Sequence, residues 1–340
     1  MDVVSLFSGA GGLDLGFKKA GFNVIWANEY DASIWQTYQT NHKNTVLDKR
    51  SITTIPAKDV PACVGIIGGP PCQSWSEAGA GRGINDARGQ LFFDYIRLLK
   101  AKRPLFFLAE NVSGILFAKH QAAFQTILDE FGSLGYNVGY FLLNAHDYGV
   151  AQDRKRVIIV GYDKKMAKFF TPPKPILPKP VLRDAIGNLS NEQAARDKNY
   201  THGDALYYPN HEYMTGGFSS IFMSRNRVRD WNEPSFTIQA SGRHTPIHPK
   251  APKMVLIAPD KRIFVQGKED LYRRLSIREC ARIQSFPDNF LFQYTKLEDG
   301  YKMVGNAVPV EFAKHLASVI YNDVSDYLLS VNRELMAICA

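Results

Sequence analysis

The fold class predicted for this chain of 340 residues is α/β: a doubly wound sheet domain joined to a smaller, irregular, mostly β domain. Three observations predict it. Short apolar runs alternate with helical stretches through the first half of the chain. A glycine-rich turn, Ser8-Gly9-Ala10-Gly11-Gly12, follows the first apolar run directly. Composition then breaks at residues 171–180, which hold five prolines in ten residues, and periodicity stays poor to about residue 270.

In chain order, residues 2–7 read as a buried strand and 13–19 as a helix closed by Gly21. A second strand at 23–27 ends at Asn28-Glu29, and a second helix spans 33–41. Strands follow at 64–67 and 105–109 with a helix at 91–100 between them, and 138–143 and 157–161 complete the sheet. Helical pattern returns at 276–284 and 310–329. The expected division is 1–180, 181–290, and a segment 291–340 that returns to the first domain.

Net charge is +8 and the isoelectric point about 9.1, which fits a polyanionic partner. The cysteines, Cys63, Cys72, Cys280 and Cys339, form no CxxC pair, so no metal site is expected and a reducing cytoplasm is the natural setting. No apolar run is long enough to span a membrane, and the first residues lack the basic start of a signal peptide.

Chemistry concentrates at sheet-edge turns. In Gly68-Gly69-Pro70-Pro71-Cys72-Gln73-Ser74-Trp75-Ser76, a strand leads into a stiffened turn that presents a thiol where open α/β sheets keep their ligands. Cysteine is the strongest side-chain nucleophile once positioned and ionised. Glu110-Asn111-Val112 follows another strand and puts a carboxylate at the same edge. A thiolate with a carboxylic acid suits addition to an electron-poor ring whose nitrogen the acid holds. Gln152, Arg154 and Arg156 alternate before a further strand and are expected on one face. The glycine turn and Glu29 suit close approach to a nucleoside, although that pair alone fits many nucleoside-binding folds, nicotinamide dehydrogenases included.

These segments, with Arg278-Glu279-Cys280-Ala281-Arg282-Ile283-Gln284-Ser285-Phe286-Pro287 and Gly305-Asn306-Ala307-Val308-Pro309, resemble in order the motifs of the cytosine-C5 DNA methyltransferase family over nearly the whole chain. The chain looks most like bacterial modification enzymes that methylate GGCC sites. The resemblance implies a Rossmann-like, S-adenosylmethionine-dependent large domain and double-stranded DNA as partner. Cys72 would attack C6 of cytosine, Glu110 would hold N3 and the 4-amino group, Arg156 the base carbonyl, and Arg154 would shape the pocket. Phe7, Gly9, Gly11, Gly12, Leu13, Glu29, Ser51, Ile52, Pro71, Asn306 and Val308 would form the cofactor site. A thiolate cannot reach C6 inside a duplex, so the base must swing out. The glycine-rich stretch after Cys72, with Ser76 and Arg82, resembles a closing lid that touches DNA.

One position departs from the family. Its usual Asp-Ile pair, whose carboxylate meets the adenine amino group, is Ser51-Ile52 here, with Asp48 upstream as a substitute acceptor. Between the QDRKR strand and the RECARIQSFP helix lies the segment that reads DNA in this family. Arg225, Arg227 and Arg229 alternate and point alike if that segment is extended, and Arg225, Arg227 and Arg243 suit bidentate contact with guanine. Action on transfer RNA and a catalytically silent DNA-binding protein are the competing readings. A bacterial or phage cytoplasm, association with the nucleoid through DNA, and a monomer complete the expectation.

Overall fold

The computed structural model describes residues 1–71 and 90–338, so Cys72, Ser76 and Arg82 lie outside the described residues. Side chains alternate across each strand, and both faces of the sheet are buried. In β1 (Asp2–Leu6), Val3 enters one core while Val4 and Leu6 enter the other. In β5 (Phe106–Val112), Phe106 and Leu108 join Val3, and Phe107 and Ala109 join Val4.

Five further strands complete the sheet: β2 (Asn23–Asn28), β3 (Val46–Asp48), β4 (Gly65–Gly68), β6 (Tyr136–Asn144) and β7 (Lys155–Asp163). Their order is β3-β2-β1-β4-β5-β7-β6, with β7 antiparallel to both of its neighbours. The chain leaves β1 towards β2 and β3, then crosses back to β4 on the other side. The carboxyl ends of β1 and β4 therefore flank the switch point, where such sheets open a crevice.

Helix α1 (Gly12–Lys19) and the last helix, α9 (Val310–Ile338), cover one face, with Phe17, Phe312, Leu316 and Ile320 in a common core. Helices α3 (Gln90–Lys102) and α4 (Gln121–Ser133) cover the other through Tyr95, Leu99, Ile127 and Phe131. The short α2 (Ala32–Asn41) starts at Asp31, whose carboxylate accepts the Ser33 N–H.

Beyond residue 180 the backbone is mostly irregular. Pairing there comprises two short ladders, β8 (Gln193–Ala194) with β9 (Glu212–Tyr213) and β10 (Val255–Ala258) with β11 (Lys261–Ile263), and a few isolated bridges. Two one-turn helices, α5 (Leu182–Ile186) and α6 (Ser220–Met223), precede α7 (Ile277–Ile283) and α8 (Leu297–Asn306). The core of α5, α7 and α8, including Ile238, Leu275, Phe286 and Tyr301, takes in Ala10 and Ile34 from the sheet domain, while α6 packs through Phe222 in a separate cluster with Val228, Ile247 and Tyr272. The proline-rich stretch is pinned to residues 146–148: Ile176 N–H donates to Asp147 O at 2.9 Å, and Tyr148 OH to Pro173 O at 3.3 Å.

Three elements exceed the expectation from sequence. The strand β5 does not stop at Ala109. It carries Glu110, Asn111 and Val112 into register with Ile158, Val157 and Arg156 of β7, pairing that no local pattern announces. Helix α4 hangs on a thin stripe of Phe124, Ile127 and Phe131. Helix α8 runs through Gly300, a residue that ordinarily weakens a helix.

Arg154 joins three distant segments. It is 1% exposed, and its guanidinium donates to Ile238 O at 3.0 Å, Gly305 O at 2.8 Å and Ala307 O at 2.9 Å. Gln152 meets the same Ile238 from the other side, accepting its N–H at 3.0 Å.

The arginines of residues 225–229 do not point alike, because Asn226 bonds back to Val228 and turns the chain. Arg225 is exposed. Arg227 folds down onto Phe222 and donates to the Ile221 and Phe222 carbonyls. Arg229 pairs with Asp153 and Glu233, each at 3.2 Å.

Arg154→Met leaves three buried carbonyls without partners, each worth about 1–3 kcal/mol. The unfolding free energy is expected to drop by about 3 kcal/mol or more, read from the urea midpoint. A midpoint within error of the wild type would reject the stapling role.

Buried histidines set an acid limit. Burial first, then Lys18, pushes His42 down to about 3. Burial pushes His248 down to about 4 despite Glu279 nearby, so their 3.5 Å contact involves a neutral imidazole near pH 7. Both stay neutral when folded and take up protons near pH 6.5 when unfolded. Their contribution is full above that value and is lost as pH falls towards 4. The melting temperature should therefore decline from pH 6.5 to 4, less steeply in His248→Gln; equal slopes would exclude His248 as a source.

Candidate active site

The crevice at the switch point holds a cavity of about 480 Å³. Its first wall is the turn after β1. Phe7 sits at φ 54°, strained for a non-glycine residue, and such strain gathers at ligand sites. Ser8 N–H donates to Asn28 O, and Gly11 N–H to Ser8 O. Two glycines keep the turn tight. Gly11, at φ 87°, leaves no room for a Cβ beside His42, and a Cβ on Gly12 would lie 2.3 Å from Val308 O. Beneath the turn the buried Asp14 carboxylate accepts from Ser5 at 2.6 Å and Tyr38 at 2.5 Å.

The second wall is the end of β2. Glu29 accepts the Gly9 N–H at 2.9 Å and the Asp31 N–H at 2.7 Å. Burial raises its pKa, and those two N–H groups oppose the rise. A carboxylate so held keeps acceptor capacity for hydroxyl donors in the cavity.

Pro70 and Pro71 form the third wall. Asn111 donates to Pro70 O at 3.0 Å, so the residue after Glu110 holds the turn that leads to Cys72. A Cβ on Gly69 would lie 3.2 Å from Glu110 Oε2, which shows how closely that turn passes the carboxylate. Glu110 lines the cavity and pairs with Arg156, Nε to Oε1 at 2.8 Å, each side chain 12% exposed. The register explains the pair: Glu110 lies opposite Ile158 and Arg156 opposite Val112, so the two are diagonal neighbours on one face.

The end of α8 and the loop after it close the cavity with Lys302, Asn306 and Val308. Of the residues expected at a cofactor, Phe7, Gly9, Leu13, Glu29, Pro71, Asn306 and Val308 line it together. Gly11, Gly12, Ser51 and Ile52 are not in its lining. Ile52 is buried in the core behind the sheet, and the Ser51 hydroxyl lies 2.8 Å from that of Thr53. Asp48 is held by Arg50 at 2.6 Å, so the substitute acceptor is already engaged. Arg154 points to main-chain carbonyls and is absent from the lining. Arg243 is exposed on a short turn beside Gly242, which packs on Tyr301 and Met214.

Sequence reasoning missed Ser8, Asp31, Asn111 and Lys302. Only Asp31 carried a local signal, an N-cap residue before a helix. The Ser8 hydroxyl is buried without a partner among the described residues, and Ser8 lines the cavity. An orphaned donor beside Glu29 and Asn306 fits a polar, nucleoside-bearing ligand such as S-adenosylmethionine.

A family model for C-5 cytosine-specific DNA methylase matches residues 1–322. The chain is 57% identical over 330 residues to the Type II methyltransferase M.FnuDI of Fusobacterium nucleatum, covering 96% of each. It is 55% identical to M.MthTI of Methanothermobacter thermautotrophicus, covering 96% of this chain and 99% of that one. Among solved structures, a chain assigned as a DNA modification methyltransferase encoded within an E. coli prophage superposes with a TM-score of 0.74 at 25% identity, covering 96% and 99%. With its cavity at the sheet switch point and this match along almost its full length, the chain belongs to the C-5 cytosine-specific DNA methylase family and is a DNA (cytosine-5)-methyltransferase.

Proposed function

We propose that this enzyme methylates a cytosine swung out of double-stranded DNA, in a GGCC-type site, and that it protects DNA beside a restriction endonuclease. The observation that carries the reading is Glu110, paired with Arg156 and lining a cavity that is also lined by Pro71, the residue directly before Cys72. Type II methyltransferase is the description carried by its relatives, and it supports the protective role. In the proposed division of labour, residues 1–180 and 291–340 hold cofactor and chemistry, and 181–290 read DNA as a monomer in the cytoplasm.

Cys72 adds through sulfur to C6, which makes C5 electron-rich. Glu110 holds N3 and the 4-amino group as charge develops there, and Arg156 orients Glu110 while facing the base carbonyl. S-adenosylmethionine supplies the methyl group to C5 when bound. The C5 proton then leaves to a base, the S–C6 bond breaks, and the thiolate returns. Glu29 takes the ribose hydroxyls, Phe7 packs on the adenine, and Asn306 and Val308 close over the cofactor. Arg154 acts as a positioning residue, since it holds the carbonyls on either side of Asn306. Arg225 and Arg243, exposed in the recognition segment, suit contact with guanine, and Arg227 would have to leave Phe222 to join them.

The test is transfer of labelled methyl groups to a panel of duplexes and to RNA. Transfer to the GGCC duplex is expected, with none in Cys72→Ala and a loss of about 10²–10⁴-fold in kcat for Glu110→Gln. Transfer to another duplex would reject the site; transfer to RNA alone would reject the DNA reading.

Cofactor affinity gives a second test. Ser51→Asp restores the charged acceptor that the resemblance expects at this position and is expected to tighten S-adenosylmethionine binding by about 1.5–3 kcal/mol, measured by calorimetry. An unchanged dissociation constant would show that Ser51 does not face the adenine.

A further inference from the structure

Besides the packing of Ile34, three polar contacts hold α2 to the chain around α8. Two are zips between side chain and main chain, one helical turn apart on α2. Asn41 donates to Leu291 O at 2.8 Å and accepts from Leu291 N–H at 3.0 Å. The Thr37 hydroxyl accepts from Gln293 N–H at 2.8 Å. Neither residue lines the cavity.

The third contact is different in kind. Lys302 of α8 pairs with Asp31, the cap of α2, and both side chains line the cavity. No other ion pair among the described residues has both members there. Its side chains are 40% and 31% exposed, so solvent reaches both. Asp31 also donates its N–H to Glu29, and Lys302 lies one helical turn before Asn306. The pair therefore bridges the wall that carries Glu29 and the wall that carries Asn306.

We propose that Lys302 and Asp31 form a latch across the cofactor cavity. Closed, the paired side chains span the gap between the Glu29 and Asn306 walls and slow escape of the bound molecule; open, the Lys302 side chain swings into solvent and admits it, while Arg154 keeps Asn306 in place. This rests on the reading of the cavity as the S-adenosylmethionine site. Both are positioning residues. Partial exposure suits a latch, because such a pair is weak and salt-sensitive and breaks readily, whereas the two zips stay shut.

The experiment measures binding of S-adenosylhomocysteine by calorimetry and its dissociation by stopped flow. Lys302→Met is expected to raise Kd about two- to fivefold, the range for an exposed pair, through faster dissociation. Asp31→Asn keeps a helix cap and should match it. The double variant should lose no more than either single one. In 1 M salt the wild type should approach the variants. Melting temperatures serve as the control for folding. A wild type that does not bind S-adenosylhomocysteine would overturn cavity reading and latch together. A wild type that binds, with variants of equal Kd and dissociation rate, would overturn the latch alone. Additive losses, or losses unchanged by salt, would also overturn it.

Discussion

A guanidinium withdrawn from water loses several kcal/mol of hydration, and only well-placed acceptors offset that loss. Arg154 finds them in the carbonyls of Ile238, Gly305 and Ala307, which belong to stretches far apart in sequence. This cation gives the strand bearing Arg156, the stretch around Ile238 and the loop bearing Asn306 one shared fixed point. Because carbonyls are aimed at one buried charge, the spacing among these stretches is held to hydrogen-bond tolerance. Burial and the neighbouring Arg156 press the pKa of Arg154 down, and Glu110 opposes them. The same charge that fixes the architecture thus belongs to the electrostatic environment of Glu110 and Arg156.

Carboxylates dominate the cavity. Glu29, Asp31 and Glu110 line it, and Lys302 is the lone cation among its described lining residues; Asp31 pairs with Lys302 and Glu110 with Arg156, which leaves the Glu29 charge uncompensated by a cation within the described lining. A cavity with that balance favours a ligand that carries positive charge, as a sulfonium methyl donor does. On the proposed reading, the donor would lose part of that attraction once its methyl group has gone, which assists exchange of product for fresh cofactor.

Much of this was legible in the sequence where the signal is local. The glycine turn, the strand before Gly68 and the helix after Ser276 are each declared within ten residues, and the structure places them as expected. Phe7, Glu29, Pro71 and Asn306 converge because the order of motifs carries the order of strand ends. What stayed hidden is long-range. Arg154 and Arg156 look alike in sequence, yet one is sealed against carbonyls and the other faces Glu110, a choice made by segments far downstream. The strand pairing of Glu110 to Val112 depends on β7, and the Lys302–Asp31 contact spans most of the chain. Arg227 defied its alternation because Asn226 bends the backbone locally.

The packing of α9 on α1 has a consequence for the order of synthesis. The glycine turn is made well before Phe312, Leu316 and Ile320, which complete the core beneath it. Contacts of such sequence separation form late and slowly. On the ribosome, the early strands wait with one face uncovered, a state in which exposed apolar surface invites association with other chains. The cleft thus comes into being only once α9 has emerged, and a nascent chain without α9 holds its chemistry in reserve.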